Sequence, residues 1–219
     1  MGQYYNIVTK TNRKNGVYTV YDRSIKKCEG DKAEYVVAKI TEHSWIGNWT
    51  MDSLSAKLFK HPMRVAWVGD YADQLDEYDI INKDLDYNTA MKLYKIAWND
   101  EGTKFHSLMV TEFEYSGTML VNHSKKLYLK MDKYIKASKY KELDELNEDW
   151  CAHPLSLLTA IGNGLGGGDY SGVNEDEVGI WAFDVVSFEN EEDEGILANR
   201  GYKEFEIRFN ETERNEEVD

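Results

Sequence analysis

The 219-residue sequence predicts an α+β fold: a single domain with a largely antiparallel sheet and a few helices. Short runs rich in Val, Ile and Tyr recur along the chain between turn residues, as strands do. Few windows place apolar residues at helical spacing. Two prolines and the lack of a Ser- or Gly-rich spacer leave no linker that would divide the chain. The domain is therefore expected over 1–209, with 210–219 an acidic, frayed tail.

Gln3–Thr9 and Val17–Asp22 are rich in Tyr, Val and Ile and flank a turn containing Asn15-Gly16, which predicts a β-hairpin. Tyr35–Ile40 has the length and composition of a third strand. After the Gly47-Asn48 break, Trp49, Leu54, Leu58 and Phe59 fall near helical spacing, with Asn48 or Thr50 as the cap. Pro62 marks the exit from that helix, because the residue before a proline avoids helical geometry. Met63–Val68 reads as a buried strand ending at Gly69-Asp70. Asp73–Tyr87 is polar and reads as a long loop. Thr89–Trp98 is expected to be a helix capped by Asn88 or Thr89. Leu108–Tyr115, Thr118–Asn122 and Leu127–Met131 read as strands, the last two joined by the turn His123-Ser124-Lys125-Lys126. Asp132–Tyr140 reads as a short helix. Farther on, Val178–Phe188 and Tyr202–Phe209 are expected strands around the acidic insert Glu189–Glu194.

The net charge is −14, and its distribution is uneven. Residues 141–219 hold 22 acidic against 5 basic side chains, whereas residues 1–140 carry a small basic excess. An acidic surface repels phosphate backbones, so direct nucleic-acid binding is not expected, and a basic protein becomes a conceivable partner. The 42% hydrophobic content argues against global disorder. No apolar run reaches the roughly 18–20 residues that span a bilayer. No signal-like start is present either, so a cytoplasmic protein without a membrane partner is expected. Cys28 and Cys151 have neither disulfide-framework nor metal-ligand spacing and read as reduced thiols.

Five of the sixteen glycines fall within residues 162–170, inside the run His153–Tyr170. That run, the start Met1-Gly2-Gln3-Tyr4-Tyr5, Glu42–Asn48, Arg64–Asp73 and Asn122–Lys126 resemble a family of hypothetical proteins from bacteria and their phages. The resemblance spans nearly the whole chain. It implies one compact unit and a phage or prophage setting, and it assigns no catalytic residue.

Each of these segments places polar or aromatic side chains at a strand end or loop, where sites are usually built. His43, Trp45, Asn48, Asp70, Tyr71, Asn122, His123, His153, Asn163, Asp169 and Tyr170 are the candidate ligand-binding residues. Imidazoles, carboxylates and aromatic faces together suit a nucleotide-like or other small polar ligand, with glycine-loop N–H groups meeting phosphate. The glycine run lacks the Gly-Lys-Ser/Thr ending of a P-loop, and no HxH or HExxH pair appears, so neither cofactor nor metal is assigned. Ligand binding is the first expectation, with counteraction of a host defence as the role it would serve. An acidic inhibitor of a basic, nucleic-acid-binding host component is the alternative, and a metal-assisted hydrolase built from scattered loops comes third.

Overall fold

A computed structural model of the chain describes residues 4–29, 32–37, 45–72, 85–99, 105–138, 152–162 and 173–209. The described strands join in one mixed, mostly antiparallel sheet. They are β1 (Tyr5–Thr11), β2 (Tyr18–Glu29), β3 (Lys32–Val37), β4 (Met63–Gly69), β5 (Phe105–Met109), β6 (Thr118–Asn122), β7 (Leu127–Lys130), β8 (Ala160–Ile161), β9 (Val185–Asn190) and β10 (Lys203–Glu204). The spatial order is β10-β7-β6-β9-β4-β1-β2-β3, with β5 beside β2 and β8 beside β4.

The expected hairpin forms around Asn15-Gly16, with Lys10 opposite Tyr18 and Ile7 opposite Tyr21. On its other edge β1 pairs antiparallel with β4 along the whole of both strands, from Tyr5↔Gly69 to Thr11↔Met63. β4 divides its remaining edge: Met63 and Arg64 meet β9, and Trp67 and Val68 meet β8 in parallel.

Successive residues of a strand point to opposite faces, and here both faces are covered. Ile7, Val65 and Trp67 enter one core with Leu54 and Leu58 of α1 (Trp49–Leu58) and Leu155 and Leu158 of α4 (Pro154–Thr159). Val8, Ala66 and Val68 enter another with Ala90 and Leu93 of α2 (Tyr87–Tyr94). That two-sided burial explains why β4 reads as a continuous apolar run rather than an alternating one. Each fully buried leucine in these cores contributes on the order of 1.5–3 kcal/mol. A third cluster joins Met119 and Val121 to Leu197 of α5 (Glu194–Asn199).

α1 begins where expected, because the Asn48 side chain accepts a hydrogen bond from Thr50 N at 2.9 Å. α2 begins earlier than expected: Asp86, not Asn88 or Thr89, is the cap and accepts from Thr89 N at 3.0 Å. It also ends earlier, passing into a π turn over Lys95–Asn99. There Asn6 Nδ2 donates to Ala97 O (3.0 Å) and Trp98 Nε1 to Val68 O (3.2 Å). α3 (Met131–Ser138) matches the short helix expected after β7.

Three expected strands are corrected. Leu108–Tyr115 pairs only up to Met109, since Thr111 N turns to Ser53 Oγ on α1 (3.1 Å). In Val178–Phe188 the strand starts at Val185, because Gly179 (φ 75°) and Phe183 (φ 62°) break the extended backbone before it. In Tyr202–Phe209 only Lys203–Glu204 forms a strand, parallel to β7, and Phe209 makes an isolated bridge with Val173. Tyr202 N closes the end of α5 on Leu197 O, and Arg208 N turns to the Glu177 carboxylate. The acidic insert is itself folded, as a 3-10 turn over Glu191–Asp193 running into α5. Residues 73–84 of the expected loop, and the expected tail from 210, lie outside the described residues.

Candidate functional site

Of the residues singled out from sequence, His43, Asn163, Asp169 and Tyr170, with residues 163–170 of the glycine-rich loop, lie outside the described residues. The others occupy three places. Trp45 forms a β-bridge with Ala152, so the Trp45–Asn48 and His153–Thr159 segments meet. Asn48 caps α1. Asp70 extends the β1–β4 pairing: its N–H donates to Tyr4 O (2.9 Å) and its Oδ1 accepts from Tyr4 N (3.1 Å). Half-buried Tyr71 follows it.

Asn122 and His123 secure the β6–β7 turn. Asn122 is fully buried; it donates to Asp184 Oδ2 (2.8 Å) and accepts from Lys125 N (2.9 Å). His123 lies between Tyr202, with Nδ1 3.0 Å from the hydroxyl, and Ser187, with Nε2 2.8 Å from Oγ. Because Ser187 donates its own proton to Glu189 (2.7 Å), Nε2 is the donor toward Ser187. Burial lowers the His123 pKa, and the Glu189 charge opposes that shift.

His153 is completely buried. Its Nδ1 accepts from Leu155 N (3.1 Å) and caps α4, so the ring proton sits on Nε2. Nε2 faces the Tyr115 hydroxyl at 3.1 Å and Ser55 Oγ at 3.4 Å. Tyr115 in turn donates to Asp52 Oδ1 (2.8 Å). Burial pushes the His153 pKa down to about 3. It raises that of Asp52 against the Tyr115 hydrogen bond, and raises that of Tyr115 together with the Asp52 charge. The relay from His153 through Tyr115 to Asp52 ties α4, the chain after β5 and α1 together inside the core. Edge-on contacts of Tyr115 and His153 with Phe188 pack around it.

The described acidic groups are largely engaged within the chain. Glu191 and Glu194 share Lys130, at 3.0 and 2.8 Å. Asp193 faces Lys60, Glu204 and Glu206 face Lys133, and buried Glu177 holds Arg208. These pairs draw on the same acidic third that would face a basic partner. Among the described residues, no group of three His, Cys, Asp or Glu side chains is placed to hold a metal ion.

One cluster had not been anticipated. Tyr18, Lys10 and Arg64 are successive cross-strand partners on β2, β1 and β4. Residues directly opposite in a sheet project from the same face, so the three form a row. Phe183 lays its ring parallel to Tyr18, at 2° between planes and 6.1 Å between centroids. Lys10 Nζ stands 4.7 Å from the Tyr18 centroid, and Lys92 Nζ, from α2, stands 5.4 Å from it. The Arg64 guanidinium lies 5.5 Å from the Phe183 centroid, and Arg64 Nη1 donates to Phe183 O at 2.9 Å.

Phe183 holds this position with φ 62°, an uncommon backbone for a bulky residue. The hydrogen bond from Phe183 N to Val65 O (2.6 Å) pins it there. Lys60, Lys130, Lys133 and Arg208 each face a carboxylate. By contrast, Lys10, Arg64 and Lys92 face none among the described residues. Three cations without a carboxylate among the described residues thus border a stacked aromatic pair, in a chain whose acids outnumber its bases 40 to 26. The pairing of Lys10 with Tyr18 does not follow from the Asn15-Gly16 turn, which lies off-centre between them. The addition of Arg64, Lys92 and Phe183 depends on β1–β4 register and on the turn before β9.

No protein-family model matches the chain, and neither a curated protein nor a solved structure matches it.

Proposed function

We propose that the chain is a binding protein for a small anionic ligand carrying a flat ring, of the nucleotide class, and that the Tyr18–Lys10–Arg64 row with Lys92 and Phe183 receives it. The observation that carries this reading is the set of three cations with no carboxylate partner among the described residues, gathered around Tyr18 and Phe183. Phosphate oxygens suit these donors, each charge-assisted hydrogen bond contributing about 1.5–3 kcal/mol. A base can stack on the planar guanidinium or against the exposed parts of the rings. Local potential rather than net charge governs capture, so the overall acidity does not oppose it. In the phage or prophage setting that the motif resemblance implies, such capture would withdraw a host nucleotide from circulation.

Thermal unfolding with and without added ribonucleotides tests this. At a ligand concentration of about 100 times Kd, stabilisation is about 2.7 kcal/mol, or roughly 5–10 °C for a chain of this size. Tyr18→Leu keeps apolar bulk and is expected to abolish the shift while leaving the ligand-free Tm within a few degrees. Unchanged Tm in every nucleotide would refute the proposal.

A further inference from the structure

We infer that the ligand carries more than one phosphate, an inference that rests on the nucleotide reading of the row. The three cations do not converge on one point. Lys10 and Lys92 approach the same ring, both ammonium groups lying within 5.4 Å of the Tyr18 centroid. Arg64 instead stands by Phe183, whose centroid is 6.1 Å from that of Tyr18.

Arg64 is also anchored. One of its N–H groups is committed to Phe183 O at 2.9 Å, and Phe183 is fixed by its bond to Val65 O and by its left-handed backbone. The guanidinium therefore cannot swing toward the lysines without giving up that bond. A ligand that engages all three cations has to extend from the Tyr18 end to the Phe183 end. A terminal phosphate carries about −1.5 to −2 charges, which leaves part of the triple positive charge unmatched. A chain of two or three phosphates supplies both the length and the charge. It also offsets the mutual repulsion of two ammonium groups held over one ring. Arg64, with four N–H donors left after the Phe183 bond, takes the distal phosphate in this arrangement.

Calorimetric titration with the nucleoside, mono-, di- and triphosphate of adenosine, guanosine, cytidine and uridine, and with inorganic triphosphate, separates the possibilities. For the preferred base, the di- or triphosphate is expected to bind at least tenfold more tightly than the monophosphate. Arg64→Gln is expected to remove that step while monophosphate binding persists. Lys92→Ala, on the exposed side of α2, is expected to reduce it without touching the folded core. Equal affinity for mono- and triphosphate in the parent overturns this inference and leaves the nucleotide reading standing. Absence of binding by any nucleotide, or inorganic triphosphate binding as tightly as the best nucleotide, overturns the nucleotide reading itself.

Discussion

Acidification probes His153, which the fold buries completely. Burial pushes the His153 pKa down to about 3, and its Nδ1 is already occupied by the Leu155 N–H at 3.1 Å. In the unfolded chain the same ring takes up a proton at about pH 6.5. Below that pH and above the folded value, the unfolded state binds the extra proton. The histidine's contribution is therefore intact above about pH 6.5 and is lost progressively as the pH falls toward 3. From pH 7 to pH 5 the loss is about 2 kcal/mol, equivalent to roughly 4–8 °C in Tm for this chain length. His123 adds in the same direction, its pKa being lowered by burial. Asp52 acts oppositely: its raised pKa lets the folded state hold a proton more tightly, so its part of the stability grows as the pH falls through the raised value. Urea unfolding at pH 7, 6 and 5 should compare the parent with His153→Asn, whose Oδ1 can still cap α4. The variant starts less stable, and its deficit is expected to shrink by about 2 kcal/mol by pH 5. Parallel pH curves would show that His153 does not titrate between the two states, and the burial argument would fail.

The partners of this histidine and the strained turn give further expectations. Tyr115→Phe removes the hydroxyl between His153 and Asp52 and should cost about 1–3 kcal/mol in urea unfolding. Adding Asp52→Asn should recover part of that, because no desolvated charge is then left without its donor; a neutral Tyr115→Phe would argue against the relay. At Phe183, both Gly and Ala remove the ring, yet only Gly relieves the left-handed backbone at φ 62°. Phe183→Gly should therefore be about 1 kcal/mol more stable than Phe183→Ala, and the reverse order would show that the turn relaxes.

Much of the framework was legible because local chemistry and tertiary placement agree. Thr118–Asn122 is a strand as read, and Asn48 caps α1 where the Gly47-Asn48 break placed it. The misread elements are those in which long-range contacts override pattern. Apolar, β-prone residues from Val178 to Phe183 fold as turns because their backbone follows α4, with Gly179 N on Leu157 O and Trp181 N on Leu158 O. α4 escaped notice because six residues give too little periodicity, although Pro154 behind a capping His153 signals a helix start. α5 was hidden within an acidic stretch whose carboxylates find Lys130 and Lys60 from distant strands and turns.

Among the candidate site residues, polar identity alone did not separate ligand contacts from caps and turn locks. Asn48, Asn122 and His153 make hydrogen bonds that hold backbone in place. The Lys10–Tyr18–Arg64 row drew no attention because its chemistry is spread over three strands. Each member is unremarkable in its own segment, and only pairing register makes them neighbours.

Calorimetric titration of nucleoside triphosphates into the parent chain and into a Lys10→Ala/Lys92→Ala double variant, in about 0.15 M salt, bears most directly on that row. Saturable binding by the parent is expected, with affinity at least about tenfold weaker in the double variant. The Tm of the ligand-free variant is expected to stay within about 2 °C of the parent. No saturable binding by the parent, or equal affinity in the two proteins, would contradict a ligand site at the row.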